Sequence, residues 1–418
     1  MNKLEKLVYD LVKSNPGIKK RVRNIYQSTF DLLPRKKDFS INPIVVKEGF
    51  YFGFHDITPF SYDDNYILAN KLTIPFRMPK AGDILHVGFF PFNKSIGAFT
   101  NIGATRAWNY HKGCRLQWLG KNHIIYNDAR EKQLVSKIYN FKTGEETLIP
   151  HAVDSASPCG RSATSFSYER LEKFMPGYGY TFTDDSYLSE KTSAKTGIFL
   201  IDIASGEKKM IMNLRNLSKL GPIDPSASKY YHYVTHSLFS PDSRYISFIH
   251  RWAKLNDVQK RWTRLIVYDT LGKEFYVSPT DDMVSHYVWN KKNQLLAYAR
   301  TNNIDSHLLF SSPSLRDYER IAYPRLNSDG HQSFISDDSF VTDTYPDKFR
   351  MSHLYKVEMV EDSATLIASL NSPKKYQSID GSHWACDLHP RMNHAGDFVC
   401  FDSVHTGTRA LCFMRIIK

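Results

Sequence analysis

From about residue 40 the chain is written as short apolar or alternating runs, each closed by a turn and followed by another run. HSLF turns at Ser-Pro-Asp-Ser (240–243) into YISFIH, and HYVW turns at Asn-Lys-Lys-Asn (290–293) into LLAYAR. HQSF turns at Ser-Asp-Asp (336–338) into SFVTDTY, and HPRM turns at His-Ala-Gly-Asp (394–397) into DFVCFDS. Alternation at period two, punctuated by turn residues, is the pattern of β-hairpins. Aligned on these hairpins, units recur near Phe60, Trp118, Ser157, Phe239, Trp289, Phe334 and Met392. The last three gaps are 50, 45 and 58 residues, and the long gap after Ser157 has room for an insertion around 168–195. Repeats of about 40–50 residues with about four strands each predict an all-β fold, a β-propeller. Seven blades over residues 39–418 is the expected count.

Residues 1–38 read differently, as a basic amphipathic helical segment. Leu4, Leu7, Val8, Leu11 and Val12 share one face at helical period, Pro16-Gly17 stops that helix, and Val22, Ile25 and Tyr26 mark a second short one. The segment holds ten Lys/Arg against four acids, half of the net +12 in under a tenth of the chain. Two destinations are open: packing on the main body, or lying on an anionic membrane surface through residues 1–34. The rest is only mildly basic, with no stripe of cations and stacking aromatics, so no nucleic-acid partner is expected. No run approaches the length that spans a bilayer, and MNKLEKLVYDLVK lacks the separate apolar core of a secretory signal. Cys114, Cys159, Cys386, Cys400 and Cys412 are scattered without a C-x-x-C pair, which reads as reduced thiols. The expected location is cytoplasmic, peripheral to the inner membrane if the basic segment binds lipid.

The sharpest chemical signal is one of register. His236, His286, His331 and His389 each stand three residues before the anchor of their unit. Equivalent positions on the inner strands of a propeller form a ring around its channel. Imidazole nitrogens on such a ring can hold a divalent metal. Asp329 and Asp387 each lie two residues before a ring histidine, where side chains share a strand face. The competing reading is a set of structural imidazoles, each hydrogen-bonded within its own blade. His232, four residues before His236, joins the catalytic candidates, with Arg251 on the following strand. His405 and Arg409 follow the last hairpin, TRAWNYHKG supplies Arg106, Trp108 and Asn109, and the insertion supplies Arg170 and Tyr178 as substrate-binding candidates.

The run HYVTHSLFSPDSRYISFIHRW, then SHYVW, DGHQSF and DLHPRMNHAGDFVCFDSVHTGTRAL, resembles the oligogalacturonate lyase type of seven-bladed propeller. GFHDITPFS, TRAWNYHKG and PGYGY resemble propellers associated with bacterial surface-polysaccharide gene clusters, such as those for capsule or O-antigen. The resemblance implies β-elimination on uronic-acid oligosaccharides with a histidine-held manganese ion. On it, His331 and His389 fall at metal-ligand positions, His286 at the catalytic base and Arg251 near the catalytic arginine. Where the lyases carry a glutamine and a further histidine, this chain has Trp384 and Asp387. Asp387 is the oxygen ligand expected beside His236, His331 and His389, with Mn2+ as cofactor and an acidic oligo- or polysaccharide as partner. The alternative from another class is a non-catalytic glycan-binding or scaffold propeller in a polysaccharide pathway. Glycoside hydrolysis is disfavoured by the excess of histidine over paired carboxylates. The chain contains no G-x-S-x-G, P-loop or G-x-G-x-x-G motif.

Overall fold

The computed structural model describes residues 3–12, 16–93, 95–377 and 383–416. Seven antiparallel sheets follow one another along the chain. The first runs Phe50–Tyr51, Tyr66–Lys71, Leu85–Pro91 and Thr100–Thr105, and the second Gln117–Leu119, His123–Arg130, Gln133–Asn140 and Glu146–Ile149. The third holds Ser162–Ser165, Gly197–Asp202 and Lys208–Asn213, with Ala156 bridging to Ala163 where an inner strand belongs. The fourth is Tyr231–Phe239, Tyr245–Lys254, Asp257–Asp269 and Phe275–Val277; the fifth is Val284–Trp289, Leu295–Thr301, Ile304–Phe310 and Tyr318–Ile321. The sixth is Gln332–Ser336, Ser339–Asp343, Met351–Glu358 and Ser363–Asn371, edged by Phe39–Ser40. The seventh joins Arg391–Met392, Phe398–Ser403 and Ala410–Arg415 to Ile44–Glu48 from the start of the domain. The molecule is a seven-bladed β-propeller, as the hairpin spacing predicts. Its last blade is closed by a strand from the other end of the chain, which covers an otherwise open sheet edge.

Apolar residues at period two fill the space between blades: Leu238, Ile249, Leu265, Trp289 and Leu308 lie together between the fourth and fifth. At the axis the core turns ionic. Asp154 accepts from Lys112 Nζ at 2.6 Å, Ser237 N at 2.8 Å, Tyr168 Oη at 3.1 Å and, at 3.1 Å, Arg115 Nε. Burial opposes its charge, but Arg115 and Lys112 overcome that and hold the carboxyl well below the usual range. Arg115 also reaches Asp56 at 2.9 Å, so the network ties segments before and within four blades to one point.

Two sequence expectations change here. Pro16-Gly17 opens the second helix rather than merely ending the first: the helices are Lys3–Val12 and Pro16–Phe30, and proline suits the first helical position because its missing N–H has no partner there. Lys13 lies outside the described residues. Of the two destinations left open, the helices pack on the propeller, but by polar contacts: Tyr9 bonds Asp305 at 3.0 Å and Gln27 bonds the Pro346 and Asp347 carbonyls, while Leu7 and Leu11 are exposed. The insertion in the third blade carries the helix Tyr168–Phe174.

Candidate metal centre

The four register histidines stand at or just before the inner strands of the fourth to seventh blades. Pairing slips at His236-Ser237 and at Ser285-His286, and His236 and His389 have φ of 51° and 46°. Bulges of this kind re-aim a side chain, here toward the axis. Ring centroids of His286 and His331 are 4.0 Å apart, and those of His331 and His389 4.1 Å.

His331, Asp387 and His389 each offer a ligand atom, all within 4.8 Å of one another. Asp343 organises them. Its carboxylate accepts from His331 N at 2.7 Å and His389 N at 2.9 Å, and sits 2.9 Å from His331 Nδ1. Burial holds His331 and His389 well below the ordinary imidazole value, each aided by a neighbouring histidine. The contact to Asp343 is therefore a neutral N–H donating to a carboxylate, which fixes the proton on Nδ1 and leaves Nε2 as the lone-pair atom. His389 Nε2 is buried without a hydrogen-bond partner. Burial and the charge of Asp343 push the Asp387 carboxyl up to about 7, and burial pushes Asp343 up to about 6. Neutral imidazoles, an unpartnered nitrogen and a carboxyl reluctant to ionise alone are the donor set a divalent cation satisfies.

His236 does not join this cluster. Phe54 stacks on it at 4.5 Å and packs on His389 at 5.0 Å, standing between them, and both His236 nitrogens are buried and unpartnered. Phe54 and His55 are the axis residues that register missed, because they come from the turn after the first inner strand and not from a position three before its anchor. They are placed by Asp402, which accepts from Phe52 N and Gly53 N at 2.9 Å, and by Gly53, whose φ of 116° and the 2.9 Å at which a Cβ there would meet Lys112 C exclude a side chain. His55 Nδ1 bonds the Gln332 carbonyl at 2.9 Å.

Asp329, expected as an oxygen ligand, instead holds His286: Oδ1 is 3.1 Å from His286 Nδ1, and Ser285 Oγ donates to Oδ2 at 2.6 Å. Burial opposes the Asp329 charge, but His286 and Ser285 bring its carboxyl below the usual value. Arg251 is buried with Nε unpartnered and Nη1 2.8 Å from Met175 Sδ; burial and Arg261 lower it to about 10. Outside the ring opens a cleft of about 230 Å3, bordered by Arg23, Tyr178, Arg261, Tyr345, His383 and Asp387 among others. Tyr178 stacks on His111 at 4.4 Å and is set by Glu172, which accepts from Gly177 N and Gly179 N.

The remaining candidates serve the scaffold. His232 is fully buried between His250 and the Ala227 carbonyl, so it has no route to substrate. Arg170 pairs with Asp185 at 2.6 Å and bonds the Tyr187, Glu190 and His232 carbonyls, which uses its donors inside the protein. Trp108 is buried and donates to the Asp83 carbonyl rather than presenting a sugar-stacking face. Asn109 organises a turn through His111 N and Lys112 N. Arg106 is exposed and does not border the cleft, and His405 bonds Ser403 away from it. Arg409 bonds the Trp384 and Ala385 carbonyls, holding the segment that delivers Asp387. Trp384 Nε1 donates to the Lys375 carbonyl at 3.0 Å.

Among solved structures, two oligogalacturonate lyases are similar to this chain in fold over most of its length. An oligogalacturonate lyase in complex with manganese aligns with a TM-score of 0.59 at 12% identity, over 92% of this chain and 99% of that one. An oligogalacturonate lyase from Vibrio parahaemolyticus aligns at 0.57 and 12%, over 92% and 99%. No protein-family model matches the chain, and no curated protein matches it by sequence. What is shared at that identity is the fold, a seven-bladed β-propeller.

Proposed function

We propose that this protein is a divalent-metal-dependent lyase that cleaves uronic-acid-containing glycan by β-elimination, in bacterial surface-polysaccharide metabolism. The observation that carries the reading is the convergence of His331, Asp387 and His389 within 4.8 Å, beside a second, separately held imidazole in His286. Mn2+ bound by those three residues would supply Lewis-acid stabilisation to negative charge developing on a uronate carboxylate. Asp329 accepts from His286 Nδ1–H and leaves Nε2 free to take the proton α to that carboxylate. The C–H electron pair becomes the new C=C bond as the glycosidic C–O bond breaks; the leaving oxygen takes a proton from water, and His286 returns the proton it took to solvent. Arg251 has no carboxylate partner among the described residues and remains cationic at neutral pH; it is buried and does not border the cleft, so it would meet an anionic sugar only at the histidine ring itself. Arg23 and Arg261 border the cleft where neighbouring uronates would lie.

The test is a screen of uronic-acid oligosaccharides, with manganese supplied, for the ultraviolet absorbance of the unsaturated product. His286→Ala should abolish that signal, a loss of about a hundredfold or more, with metal content unchanged. Metal lost together with activity would move His286 into the ligand set. One observation favours the non-catalytic reading: His286 is only 8% exposed and does not border the cleft. A scaffold would hold no stoichiometric metal and keep glycan binding in both His331→Ala and His389→Ala.

A further inference from the structure

The N-terminal helix pair sits on the propeller with its polarity inverted. Its inward contacts are mostly polar: Tyr9 to Asp305, Gln27 to the Pro346 and Asp347 carbonyls, Glu5 to Lys348 at 2.9 Å, and Asp31 to Arg350 at 2.6 and 2.8 Å, with Phe30 edge-on to Phe349 as the apolar contact. Its outward side chains include an apolar set. Leu7 is 59% exposed, Leu11 74%, Ile25 69% and Leu32 88%. A helix that packs on its own protein normally buries that stripe, so charged anchors inside and bare leucines outside point to a second apolar phase. Arg21, Arg35, Lys36 and Lys37 are exposed on the same segment, which carries half the chain's net positive charge.

We propose that this outer face docks on an anionic lipid bilayer, with Leu7, Leu11, Ile25 and Leu32 entering the interface and the flanking Arg and Lys meeting acidic headgroups. The charge selects the occupant: an apolar patch ringed by cations is complementary to acidic lipid, and repels a second copy of the same basic face. No helix among the described residues is long and apolar enough to cross a membrane, so the contact is peripheral and reversible. Because Arg23 and Gln27 of the same helix border the cleft, docking holds the cleft mouth next to the lipid surface. The inference stands whether or not the lyase reading does.

The test is co-sedimentation of the full-length protein with phosphatidylcholine vesicles, with and without about 30 mol% phosphatidylglycerol. Binding to the anionic vesicles should exceed binding to the neutral ones about tenfold and weaken as salt is raised. Leu11→Glu with Ile25→Glu should cut it about tenfold at an unchanged melting temperature, and Arg35→Glu with Lys36→Glu should act in the same direction without touching an apolar residue. Wild-type protein that ignores acidic vesicles, or either double variant binding as well as wild type, overturns the proposal. So does a wild-type dimer, seen by light scattering, that Leu11→Glu with Ile25→Glu dissociates, because the occupant is then a second copy.

Discussion

A single carboxylate, Asp343, sets the tautomer of His331 and the backbone positions of both His331 and His389. Nothing near it in sequence marks it, since TDTY reads as the end of an ordinary strand; its role exists only once the sixth and seventh blades are adjacent. Asp387 was legible, from its place two residues before a ring histidine, while its state was not. Its carboxyl rises to about 7 because burial and Asp343 disfavour the charge. An acid whose folded value is raised stabilises the fold at low pH and loses that contribution as pH climbs from about 4 through about 7. Asp387→Asn should therefore raise the stability of metal-free protein at about pH 8 by about 1–3 kcal/mol, discounted because the carboxyl borders the open cleft. Thermal denaturation should show no gain at about pH 4. The same change should abolish Mn2+ binding. In the unaltered protein, apparent Mn2+ affinity should fall about tenfold per pH unit on the acid side of that value, because binding displaces a proton. Isothermal titration in two buffers of different ionisation heat reads that proton directly.

At the scale of elements, the inner strands were readable and the depth of side chains was not. Four histidines in one register predict a ring, and the ring is there. Arg170 and Trp108 looked like ligand-binding types, yet both spend their donors on buried backbone carbonyls, a pairing fixed by folds of chain up to 62 residues apart. His236 kept its register but is set apart from the His331, Asp387 and His389 cluster by Phe54, which enters from the first blade. Helical periodicity located the N-terminal helices, but period alone does not say which face meets protein. The inner face of the second helix puts Arg23 on the cleft, where burial lowers its guanidinium and Asp387 and Tyr345 favour its charge. Arg23→Gln should raise KM for an acidic oligosaccharide about three- to thirtyfold while leaving kcat within about twofold, as for a contact made equally in ground and transition states. Steady-state kinetics on the screened substrate checks this; a fall in kcat at constant KM would place Arg23 at the reacting sugar instead.

The whole molecule is a ring, and its closure depends on five residues distant from their sheet. Ile44–Glu48 pairs along Ala410–Arg415, so the first and last parts of the domain share one blade. Ile44 and Val46 pack inward on a core that includes Leu354, Val399, Cys412 and Met414, whereas Val45 is exposed on the opposite side. Neither this alternation nor the partner strand was legible: Ile44, Val45 and Val46 are all apolar, and pairing across more than 360 residues leaves no local trace. Val46→Asp places an unpaired carboxylate against that core and should destabilise the domain by about 2–4 kcal/mol, while Val45→Asp should cost about 0.5 kcal/mol or less. The axis network argues that the loss is felt everywhere. Lys112, Asp154 and Arg115 are buried together and tie successive blades to one point, so a ring opened at the seventh blade also loosens the ion cluster. Denaturant unfolding of Val46→Asp should accordingly remain a single transition at lower midpoint, monitored both by tryptophan fluorescence and by far-ultraviolet circular dichroism. Two separated transitions would mean that the closing strand guards only its own blade, and that the candidate metal site of His331, Asp387 and His389 can open while the rest of the ring stays folded.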